Sequence, residues 1–120
     1  MINLLITFYS IVNGIDTGLA FQMAKIESNM NPNAVSRTND GGLYQLNRKV
    51  YKFHNESWRF HPAVNMAIAM RALAGLKEKC THKSYNSYVL CYNMGIKGAK
   101  RIKFPLKQTY YKKMNLLWRH

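Results

Sequence analysis

Only five carboxylates occur among 120 residues: Asp16, Glu27, Asp40, Glu56 and Glu78. Glu27 has the setting of a general acid. At helical spacing its neighbours are Met23 and Ala24 one turn before and Met30 and Asn31 one turn after. A carboxyl set among apolar side chains loses hydration of its charged form and holds its proton more tightly. A group that must donate a proton near neutral pH needs this property. Asp40, in Asn39-Asp40-Gly41-Gly42, is the candidate second carboxylate. The competing reading of Asp40 is a turn aspartate bonded to its own backbone, for which Asn-Asp-Gly is well suited. His54, His61, His82 and His120 have no metal-ligand spacing and read as surface or capping residues. Neither a metal nor a cofactor is expected.

Glu27-Ser28, then Asn31-Pro32-Asn33-Ala34-Val35-Ser36, then Gly42-Leu43-Tyr44-Gln45 follow one another closely. His61-Pro62-Ala63-Val64-Asn65, Leu73 and Leu76, and Cys91-Tyr92-Asn93-Met94-Gly95 come after. These segments, in this order, resemble the soluble lytic transglycosylases (the SLT, goose-type lysozyme-like group) from about Ile15 to Tyr111. The resemblance implies a mainly α, lysozyme-like domain that cuts the β-1,4 bond between N-acetylmuramic acid and N-acetylglucosamine. It implies Glu27 as acid and then base, with the muramic 6-hydroxyl attacking in place of water to leave 1,6-anhydromuramic ends. One catalytic carboxylate then suffices. By the same resemblance Ser28 and Gln45 shape the cleft floor, Tyr92 and Asn93 line the site near Glu27, and Tyr111 or its neighbour Tyr110 borders the cleft. The chain departs from the family pattern at Tyr44 and Cys91, where the family has Met and Ala. Tyr44 therefore reads as repacking or as an extension of a sugar-stacking wall. The segment Asp40–Asn47 also looks like the part of c-type lysozymes that carries their second carboxylate. A hydrolase using Glu27 and Asp40 is accordingly the alternative chemistry.

The elements that must position these residues are legible from periodicity. Met1–Val12 is mostly apolar, too short to span a bilayer as a helix, and ends at the turn signal Asn13-Gly14. It reads as a first core helix. Asp16 or Thr17 caps a second helix with Leu19, Met23, Ile26 and Met30 inward, stopped by Pro32. Ser36–Gly42 is turn chemistry, suited to a small hairpin, and Leu43–Tyr51 carries no clear assignment. Pro62 opens a third helix that reaches Cys80. Ser84 caps a fourth ending at Gly95, and a last helix runs from Lys107 to Trp118. The expectation is a single domain over residues 1–120 with five to six helices and at most a small β-hairpin beside the catalytic helix.

Composition bounds the partners. The formal charge is +13, and residues 79–120 carry ten Lys/Arg with no Asp or Glu. Such an end favours a polyanion: an acidic cell-wall polymer, an anionic membrane surface or nucleic acid. Nucleic acid is disfavoured, because no groove-reading motif is present. A basic binding domain, or a lysozyme-like scaffold that only holds glycans, is the alternative from a different functional class. Cys80 and Cys91 read as two buried free thiols in preference to a bridge. The apolar start has no preceding Lys or Arg and no small-residue cleavage pattern. Action in the periplasm or cell wall is then expected by phage delivery, virion association or a special export route, as a monomer.

Overall fold

The computed structural model describes residues 1–80 together with Cys91 and Tyr92. Three α-helices, a two-stranded sheet and a short 3₁₀ helix make up this part. Helix α1 spans Ile2–Val12 and α2 spans Thr17–Ser28. The strands are β1, Asp40–Gly41, and β2, Leu46–Asn47. They pair antiparallel with Asp40 opposite Asn47 and Gly41 opposite Leu46, and Val35 adds an isolated bridge to Gly41. The 3₁₀ helix covers Glu56–Phe60, and α3 follows at Pro62–Lys79. The expected mainly α domain with a small hairpin is what the described residues form. The fourth and last expected helices lie outside the described residues, apart from helical backbone at Cys91 and Tyr92.

Helix ends follow local chemistry. Asp16 Oδ2 accepts from the Leu19 backbone N–H at 3.0 Å, so Asp16 rather than Thr17 caps α2. His61 precedes Pro62 and its Nδ1 accepts from Val64 N–H at 3.5 Å, a long cap on α3. The far end of α2 corrects the reading from sequence. The helix stops at Ser28, short of Pro32, and Asn29 and Met30 both adopt left-handed backbone (φ 54° and 65°). Met30 N–H bonds Ala24 O and Asn29 N–H bonds Lys25 O, the paired closure that satisfies orphan carbonyls at a helix end. Met30 and Asn31 therefore stand beyond the helix that carries Glu27.

The core gathers Ile6 from α1, Leu19 and Met23 from α2, Leu43, Tyr44 and Leu46 from the hairpin, and Met66, Met70 and Leu73 from α3, all fully buried. Burying side chains of this size contributes roughly 1.5–3 kcal/mol each. Cys80, at the end of α3, forms a disulfide with Cys91 across a Cα–Cα distance of 6.6 Å. This overturns the expectation of two free thiols. The bridge links α3 to the segment carrying Tyr92, an apposition that spacing along the chain does not reveal.

Candidate active site

Glu27 occupies the last turn of α2 and is half-buried. The left-handed pair after it throws the chain sideways, so the following loop returns across the hairpin. Asn31 Oδ1 accepts from Asn33 N–H at 3.0 Å, which shapes the turn around Pro32. Gly42 N–H then donates to Ala34 O at 2.9 Å, and Ser36 N–H donates to Asp40 O at 2.9 Å. Gln45 completes the stitching: its Nε2 donates to both Ala34 O (3.1 Å) and Gly42 O (3.0 Å). Gln45 does so from left-handed backbone (φ 54°). That conformation costs on the order of 1–2 kcal/mol in a residue with a Cβ, so the surrounding contacts must over-determine it.

The hairpin is held from below by α3 and the 3₁₀ helix. Asn65 is fully buried, and its Oδ1 accepts from Tyr44 N–H at 2.9 Å. Its Nδ2 donates to Gly41 O (3.0 Å) and to Arg59 O (2.8 Å). Buried Arg59 donates through Nη1 to Asn39 O (2.6 Å) and Leu46 O (3.0 Å), and its Nη2 pairs with Glu56 at 2.6 Å. These side chains sit against the backbone where Gly41-Gly42 removes any Cβ. A Cβ at Gly42, whose φ is +85°, would overlap Asn65 Nδ2 and stand 2.6 Å from Arg59 O. In the sequence Asn65 stands out only as part of the His61–Asn65 motif, and Arg59 carries no local signal. The glycine pair was the signal that something must approach closely.

Tyr44 is the hub. Its hydroxyl donates to Ala20 O on α2 at 2.7 Å, and its carbonyl accepts from the Tyr92 hydroxyl at 2.7 Å. With Asn65 on its N–H, Tyr44 ties the Glu27 helix to α3 and to the Tyr92 segment. Burial pushes its phenol far above the ordinary tyrosine range. A fully buried ring has no face to offer a sugar, so the stacking-wall expectation is corrected. The remaining sites divide. Ser28 is buried and its hydroxyl donates to Ala24 O at 3.0 Å. The Asp40 carboxylate accepts from Thr38 Oγ1 (2.8 Å), Asn47 Nδ2 (2.8 Å) and Ser36 Oγ (3.5 Å), the engagement of a turn aspartate. Asn93, Tyr110 and Tyr111 lie outside the described residues.

A pocket of about 220 Å³ opens between α1 and α2, lined by Asn3, Phe21, Gln22, Lys25 and Met30. Neither Glu27 nor the hairpin lines it. No group of His, Cys, Asp and Glu able to hold a metal occurs among the described residues.

Glu27 thus stands partly buried at the end of α2, and the hairpin that follows it in the chain is clamped by the buried Asn65 amide and Arg59 guanidinium. A model of the transglycosylase SLT domain matches residues 5–117. The chain belongs to the transglycosylase SLT family. SLT domains carry out lytic-transglycosylase-type cleavage of peptidoglycan, in the cell wall and periplasm, so glycan strands are the substrate class. No curated protein matches the chain.

Proposed function

We propose that this SLT domain breaks the bond between C1 of N-acetylmuramic acid and O4 of N-acetylglucosamine, with Glu27 as the only catalytic carboxylate. Glu27 gives its proton to the leaving O4 as positive charge develops at C1. The muramic 6-hydroxyl attacks C1, its proton passes to the Glu27 carboxylate, and the acid is regenerated. No water is consumed. The observation that carries this reading is the pairing of a half-buried Glu27 with an Asp40 whose two carboxylate oxygens are already engaged by Thr38, Ser36 and Asn47. A carboxylate held by three donors in its own turn is fixed in place by the hairpin. Gln45 supports the loop that follows the acid, Ser28 bonds back within the Glu27 helix, Tyr92 holds Tyr44, and Asn93 and Tyr111 complete the cleft by resemblance. The basic end, residues 79–120, adds electrostatic attraction to an anionic wall. The Cys80–Cys91 bridge favours an oxidising compartment, as in the periplasm or outside the cell.

Mass spectrometry of muropeptides released from purified peptidoglycan tests this. The expected products carry 1,6-anhydromuramic ends. Glu27→Gln should lower their release by about 10²-fold or more, the scale of lost general acid–base catalysis. Asp40→Asn should keep the same products. Reducing muramic ends that disappear with either substitution would instead make the protein a hydrolase with Asp40 as second carboxylate. Release of no products, with retained binding to polyanions, would favour the basic binding domain.

A further inference from the structure

Helix α1 is apolar on two sides. Ile6 faces the core and is fully buried, with Ile2, Leu5 and Tyr9 packed beside it. The outward side is not polar, as it is in an ordinary surface helix. Leu4 is 75 % exposed, Phe8 58 %, Ile11 66 % and Val12 64 %, and Met1 continues the row. Spacings of three, four and seven residues place these side chains on one continuous stripe. Scattered exposed hydrophobes need no explanation, but a contiguous stripe marks an interaction surface. The helix contains no charged residue. Cations stand near both of its ends: Lys25 shares a pocket with Asn3 at the first turn, and Lys77 Nζ donates to Gly14 O, just past the last turn, at 2.8 Å. Asp16, before α2, has its carboxylate turned to the α2 cap, and the exposed Glu78 follows Lys77 on α3.

We infer that α1 is an interfacial anchor whose outer stripe enters the headgroup boundary of an anionic bilayer while Lys25 and Lys77 meet lipid phosphates. Eleven residues make a helix about 16 Å long, which lies in the interface and does not cross it. Charge selects this occupant over a second copy of the chain. A copy would bring another +13, whereas anionic lipid neutralises it. A glycan strand presents hydroxyls and amides along its edges, a poor match to a row of Leu, Phe, Ile and Val. The assignment is independent of which carboxylate cuts the glycan.

The test is sedimentation with vesicles of phosphatidylcholine alone and of phosphatidylcholine mixed with phosphatidylglycerol. The chain should bind the mixed vesicles and bind phosphatidylcholine far more weakly. Phe8→Ser combined with Ile11→Ser leaves the net charge unaltered and should weaken partitioning about tenfold or more. Its thermal melt and its turnover of solubilised peptidoglycan fragments should match the unaltered chain. Undiminished binding by the folded double variant would overturn the inference, since charge alone would then suffice. So would absence of binding by the unaltered chain, or a dimer in solution that the variant dissociates. Should the double variant fail to fold, Phe8→Trp provides the second reading. Its fluorescence should be quenched by lipids brominated on the acyl chain, and an unquenched signal from bound protein would equally overturn the anchor.

Discussion

Asn65 illustrates how one buried amide shapes a site from a distance. Its carbonyl oxygen and amide nitrogen satisfy three backbone groups: Tyr44 N–H, Gly41 O and Arg59 O. The first two belong to the hairpin next to the Glu27 helix. Replacing the amide by an apolar group of similar volume leaves all three groups buried and unpaired. Each lost partner costs about 1–3 kcal/mol, and the effects overlap. Asn65→Leu is therefore expected to destabilise the fold by roughly 3 kcal/mol or more, measured by urea unfolding. A change below about 1 kcal/mol would show that the clamp is redundant. Asp40 works at shorter range. It accepts from Thr38 and Ser36 before it and Asn47 opposite it, and so pins the strand pairing.

Among the elements, the end of α2 matters most. Left-handed Asn29 and Met30 close the helix one turn earlier than a proline stop would, and the loop that follows is bonded to Gly42 and Gln45. Glu27 consequently stands in the last turn of a helix that ends at Ser28. The contact of Tyr92 with the hairpin depends on the disulfide, because Cys91 is adjacent to Tyr92 and Tyr92 bonds Tyr44 O. Cross-linking across a separation of 11 residues is worth about 3 kcal/mol in the chain-entropy account. The double substitution Cys80→Ser, Cys91→Ser should lower the melting temperature and reduce peptidoglycan turnover together. Thiol titration of the denatured, unreduced protein should find no free cysteine. Two titratable thiols in oxidised protein would refute the bridge.

Taken whole, the molecule combines a scarcity of acids with a large excess of bases, eighteen Lys and Arg against five Asp and Glu. Peptidoglycan clearing should fall several-fold as ionic strength rises, since the screening length shrinks from about 10 Å at 0.1 M to about 3 Å at 1 M. A flat salt profile would mean that the charge serves solubility alone. If α1 also anchors to lipid, the salt-resistant part of membrane binding should belong to its apolar stripe.

Sequence by itself determined the helical periodicity of the segments that form α1, α2 and α3, the turn chemistry of the hairpin near Asp40 and the SLT family membership. All of these rest on local spacing or on ordered motifs, which chain neighbours alone specify. Tertiary structure alone decided the rest. Tyr44 had the composition of a stacking residue and became a buried hub because Ala20 O, Asn65 and Tyr92 converge on it. Arg59 joined the site because Gly41 leaves room for its guanidinium. Cys80 met Cys91, and Met30 left the helix when the left-handed turn closed it before Pro32. Each of these outcomes depends on groups far apart in the chain, or on a turn whose cost is met by such groups, and neither is written in local spacing.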